Sequence, residues 1–149
     1  MTRPLQVVQA FDRTLIAELP VDDAAALEAK LASASRMLAD RDAWLKPHQR
    51  SAVLLRAATL LETRQDHFTR LIAREGGKPW PDAAVEVIRA VDGLRNAAEA
   101  IRTFAGREIP MGLTPASEGR WAFTTKEPIG VVAAISAFNH PLNLIVHQV

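Results

Sequence analysis

Residues 129–135, Ile-Gly-Val-Val-Ala-Ala-Ile, are continuously apolar and follow directly on Pro128. A strand with one wet face alternates apolar and polar residues. An uninterrupted apolar run bounded by a proline and a polar loop is instead the pattern of a strand covered on both faces, which is the rule in parallel sheets. Six residues later Pro141 opens a predicted helix with Leu142, Ile145, Val146 and Val149 apolar, proline being well suited to a first helical turn. A buried strand running into a helix implies a crossover to a second, parallel strand. No such strand follows within the sequence, so the chain is expected to be the N-terminal part of a larger α/β protein that continues with further βα units.

The 128 residues before that segment read mainly as helices. Asp22 or Asp23 can cap a helix over 23–39, with Leu27, Leu31, Ala34 and Leu38 on one face. A second helix starts at Pro47 with the stripe Leu54, Ala58, Leu61, and runs on through Phe68 and Ile72 with a break near Thr63. Gly76-Gly77 supplies a left-handed C-cap there, and Pro79 prevents resumption. A further helix opens after Trp80-Pro81, carries Val87, Val91, Leu94, Ala98 and Ile101 on one face, and closes by Gly106. Before the helices, residues 5–19 suggest a short hairpin turning at Phe11-Asp12-Arg13; after them, strands over 107–111 and 120–127 suit a β arm across the turn-rich stretch 112–119.

Composition narrows the function classes. With 48% hydrophobic and 23% charged residues the chain has the balance of a globular domain, and a net charge of +1 offers no broad attraction to nucleic acid or to anionic lipid. The absence of cysteine rules out disulfides, thiolate metal sites and a cysteine nucleophile within these residues. His48, His67, His140 and His147 lack metal-ligand spacing. Residues 1–10 lack the apolar core of a secretory signal and no run is long enough to span a bilayer, so no membrane partner and a cytoplasmic protein are expected.

The chemistry concentrates at Asn139, which ends the loop between the apolar run and the last helix. Ligands of open parallel sheets bind at the carboxyl ends of the strands. An amide at that place can donate its side-chain N–H to a developing oxyanion; an isolated asparagine before a proline is otherwise a turn or cap residue.

The stretch from Glu127 to Leu142, with its Pro-x-Gly-Val strand and its loop Ala137-Phe138-Asn139-His140-Pro141-Leu142, resembles the aldehyde dehydrogenase superfamily, where the loop has the form Pro-Trp-Asn-Phe-Pro-Leu. Upstream, Glu75-Gly76-Gly77-Lys78-Pro79 is similar to the family's Glu-Thr-Gly-Lys-Pro helix end, and 82–86 resembles the acidic segment after it. The order of helices, β arm and first nucleotide-domain strand also looks like the family's N-terminal layout.

The resemblance implies an α/β fold divided into a helical part of the cofactor domain over 1–106, an oligomerisation arm over 107–127, and the first strand and helix start of a Rossmann-like unit over 128–149. It implies a small-molecule aldehyde as substrate, NAD or NADP as cofactor, and a homodimer or homotetramer. In this family a cysteine thiolate attacks the aldehyde, hydride passes to the nicotinamide, and a glutamate-activated water hydrolyses the thioester. Asn139 matches the asparagine that stabilises the oxyanion, and Ile135, Ser136, Ala137 and Phe138 match residues along the nicotinamide end of the cofactor site. The nucleophile, the base and a ribose-binding lysine are expected beyond Val149, so residues 1–149 alone should not turn over. Ala137-Phe138 in place of Pro-Trp, and His140 in place of Phe, leave substrate and cofactor preference open. A non-catalytic helical interaction module built on the same scaffold, and a coenzyme A-acylating enzyme, remain as alternatives.

Overall fold

A computed structural model describes residues 3–149. Helix α1 spans Ala24–Ala39 and starts where the sequence places it: the Asp23 carboxylate accepts from the Ala26 amide, meeting one of the N–H groups a first turn leaves without a partner. Its apolar stripe forms but is not covered, since Leu27 and Leu31 stay exposed and no α1 residue is buried. A short 3-10 turn, Arg41–Ala43, follows, and the Trp44 indole N–H donates to the Met37 and Leu38 carbonyls, closing the end of α1.

The core is built by three helices, α2 (Pro47–Glu62), α3 (Gln65–Gly76) and α4 (Trp80–Ala100). The expected break lies at Thr63-Arg64. Helix α4 is the hub on which α2, α3 and the C-terminal helix α5 (Pro141–Gln148) all pack. Its inward face presents Ala83, Val87, Ala90, Val91 and Leu94 at i, i+3, i+4 spacing, and these meet Ala58 and Leu61 of α2 and Ile72 of α3. Leu142 and Val146 join this cluster from α5. Helix α4 ends at Ala100, short of Gly106, because Ile101–Thr103 tighten into turns that bond back to Glu99 and Ala100.

Two antiparallel hairpins flank the helices. Strands β1 (Leu5–Val8) and β2 (Leu15–Leu19) pair Leu5 with Leu19, and the hairpin is tied to the end of α3 by Ala10 N–H donating to the Arg74 carbonyl. The C-cap Gly77 has φ +66°, a left-handed conformation that favours glycine, and a Cβ there would sit tightly against Ala10 at 3.2 Å. The β arm forms as β3 (Glu108–Ile109) with β4 (Ala122–Phe123), shorter than the expected strands. At its root Thr124 crosses so close to Gly106 that an added Cβ would lie 1.5 Å from the Thr124 carbonyl oxygen.

Among the described residues the apolar run has no strand partner. Residues 129–135 take part in no ladder, and both sheets among the described residues are two-stranded hairpins. Ile129 is 94% and Ile135 88% exposed. The physical reason is that a strand acquires its backbone hydrogen bonds from neighbours, and no other extended segment of the described chain lies alongside this one. Among the described residues no helix is long and apolar enough to cross a membrane.

Candidate active site

The apolar run bends at 138–140 and enters α5, so Asn139 sits at the junction of an extended segment and a helix N-terminus. That N-terminus has no cap of its own: His140 occupies the cap position without a capping side-chain bond, and the first turn contains no acidic residue. Its amides are satisfied from another helix. Glu86, on the buried face of α4 and only 1% exposed, accepts from the Leu142 N–H at 2.9 Å and the Asn143 N–H at 3.2 Å through Oε1. A carboxylate at a helix N-terminus is favoured both by these bonds and by the helix dipole.

The other carboxylate oxygen, Oε2, accepts from Lys78 Nζ at 2.5 Å. Lys78 follows the left-handed Gly77 turn, which aims it back across the start of α4. Its ammonium has three protons and meets three acceptors: Glu86 Oε2, the Asn139 backbone carbonyl at 3.1 Å and His140 Nδ1 at 3.0 Å. Because the ammonium can only donate, the contact to His140 is a hydrogen bond in the tautomer that leaves Nδ1 free to accept.

Burial pushes the Glu86 carboxyl up. The Lys78 hydrogen bond, the amides of Asn143 and Leu142 and the lysine charge together outweigh it and hold the group below the ordinary glutamate value. Glu86 is therefore a buried carboxylate that stays ionised because every lone-pair direction it needs is met, as such groups must be.

The residues expected at the site fall together along one continuous strip. Asn139, Ser136, Ala137 and Phe138 are exposed, Phe138 at 93%, and Ile135 is held at its carbonyl by Gln148 Nε2 of α5 at 2.9 Å. The Asn139 side chain has no protein partner among the described residues, so its amide is available to a ligand. Lys78 and Glu86 escape a reading of the sequence as site residues: Lys78 reads as a solvated lysine after a helix end, and Glu86 as one of a run of acidic residues. A signal was present for Glu86, which interrupts the apolar stripe between Ala83 and Ala90 at a spacing that points it into the core. Among the described residues no cluster could hold a metal ion.

The geometry has close counterparts. The aldehyde dehydrogenase family model matches residues 1–149. The 3-sulfolactaldehyde dehydrogenase of Priestia aryabhattai is 37% identical over 144 residues, covering 97% of this chain and 30% of the relative. Aldehyde dehydrogenase 21 of Physcomitrella patens, solved with the reaction product succinate, superposes with a TM-score of 0.91 at 28% identity, over 98% of this chain and 30% of its own. The NADP complex of glyceraldehyde-3-phosphate dehydrogenase from Methanocaldococcus jannaschii superposes with a TM-score of 0.87 at 26% identity, over 100% of this chain and 31% of its own. The chain thus spans about a third or less of these proteins, and the shared portion is their N-terminal α/β part. The chain belongs to the aldehyde dehydrogenase family.

Proposed function

We propose that the protein carrying this chain oxidises an aldehyde to a carboxylic acid with NAD or NADP, and that Asn139 stabilises the oxyanion formed when a cysteine thiolate adds to the aldehyde carbon. The observation that carries this reading is the placement of Asn139: an exposed amide at the end of the apolar run, one residue from a helix N-terminus. Thiolate addition turns the carbonyl oxygen into an alkoxide, and an N–H fixed in advance toward that oxygen lowers the barrier because nothing has to reorganise as charge develops. The chain contains no cysteine, so on this reading the nucleophile belongs to residues outside 1–149, and the family resemblance puts the water-activating glutamate outside them too.

Residues 135–138 fit the nicotinamide end of the cofactor. Ile135 and Phe138 offer exposed apolar surface and Ser136 a hydroxyl, with none of the cationic side chains a phosphate would call for. When bound, the nicotinamide supplies the hydride acceptor. The task left to this chain is to keep the aldehyde carbon in register with that acceptor, and α5 does so by anchoring both ends of the loop: Gln148 holds the Ile135 carbonyl and Pro141 begins the helix directly after Asn139-His140. The β arm carries exposed Trp121 and Phe123, apolar surface that a neighbouring subunit of a homodimer or homotetramer would cover.

Asn139→Ala in the protein carrying this chain should lower kcat by about 100- to 1000-fold, the cost of deleting one oxyanion donor, with the cofactor KM nearly unchanged. Steady-state rates on a panel of aldehydes with NAD and with NADP read this out and fix the cofactor preference together. Turnover within a few-fold of wild type would remove Asn139 from the chemistry.

A further inference from the structure

We infer that Lys78 and Glu86 form a positioning clamp that sets the Asn139 amide in its working orientation, an inference that rests on the oxyanion role just proposed.

Three observations converge on it. First, Glu86 reaches from α4 to cap α5, fixing the helix that begins two residues after Asn139; no residue of the loop does this for itself. Second, Lys78 donates to the Asn139 carbonyl, so the peptide plane that carries the catalytic side chain is bonded from outside the loop. Third, the ammonium's remaining protons go to Glu86 and His140, which makes the lysine the common point of the cap, the loop and the imidazole beside it. With the Lys78 side chain 17% exposed and that of Glu86 at 0%, water cannot easily replace these contacts. The clamp is anchored on the helical core, since Glu86 lies on the buried face of α4 and Lys78 follows the left-handed Gly77 turn that ends α3. The loop, exposed from 136 to 139, is bonded ahead of that stretch by Gln148 and at Asn139 by this cluster.

Small displacements of an oxyanion donor are costly, a shift of 1 Å being enough for about a hundredfold in rate. The clamp therefore affects kcat through Asn139 and should be silent when Asn139 is absent. The test is a double-mutant cycle in the protein carrying this chain. The pair change Lys78→Met with Glu86→Gln removes the ammonium, avoids stranding a buried charge and leaves a carbonyl able to accept from Leu142 and Asn143. It should lower kcat by about 10- to 100-fold with the cofactor KM changed little. In an Asn139→Ala background the same pair change should lower kcat by less than about threefold further.

Equal losses in the two backgrounds would overturn the clamp and leave the oxyanion reading intact. An Asn139→Ala enzyme with wild-type kcat would overturn both. Should the pair change reduce the yield of folded protein, Lys78→Arg repeats the test: it keeps a charge opposite Glu86, but its planar fork of donors cannot serve the same three acceptors, and the same non-additivity is expected.

Discussion

Helix α4 and residues 129–135 are both rich in small and branched apolar side chains, yet within residues 3–149 one forms the centre of the core and the other has no strand beside it. In α4, Ala83, Val87 and Ala90 are fully buried, whereas in the run Ile129 and Ile135 are almost entirely exposed. A helix closes its hydrogen bonds within itself, so it needs from its neighbours only an apolar face to pack on, and α2, α3 and α5 provide one. An extended segment needs partners at its edges as well as cover on its faces. Apolar composition states a demand for burial; the backbone decides whether nearby chain can meet it.

The largest effect expected on the helical side of this contrast is from Leu94→Ala. Leu94 packs in the cluster shared by α2, α3 and α4, and truncating it should cost about 2–5 kcal/mol by urea unfolding. A loss below about 1 kcal/mol would mean that the packing around α4 is far more yielding than a close-packed core.

A smaller effect is expected where α4 meets α5, at Glu86. Its carboxyl titrates below the ordinary value of 4.5, so its ionised form contributes stability that is fully present above that value and is lost as pH falls through the depressed folded value. Glu86→Gln resembles the protonated state at every pH. The stability gap between wild type and Glu86→Gln should therefore be widest near neutrality and narrow as the pH drops below about 4.5, measured as unfolding free energy across an acid series. A gap that stays constant into acid would mean that the carboxylate charge gives no net stabilisation.

Much of the helical architecture was legible in the residues because its punctuation is local. Asp23 caps α1, Pro47 opens α2, Thr63 marks the break and Gly77 turns left-handed, each through its own side chain or its lack of one. The hairpin at 5–19 and the β arm were legible for the same reason, though the arm's strands are shorter than their composition suggested. Periodicity was less informative about what a face meets. Leu27 and Leu31 of α1 have helical spacing and remain exposed, because a stripe records a preference and not the presence of a partner. The clamp was the least legible feature: Lys78, Glu86 and the 139–140 peptide are brought together only by the packing of α5 on α4, across some sixty residues of sequence. Asn139 could be singled out through its resemblance to a family loop; Lys78 and Glu86 also lie in segments that resemble the family, but nothing in those segments pointed to a place beside Asn139.

The most direct measurement is amide hydrogen exchange in the protein carrying this chain, comparing residues 130–135 with 83–94 of α4. If the apolar run is a strand taken into a parallel sheet that delivers Asn139 to the reaction centre, its amides should exchange as slowly as those of α4, through global opening. Exchange of 130–135 at the rate of an open chain, with α4 protected, would contradict the strand and with it the delivery of the amide to the site.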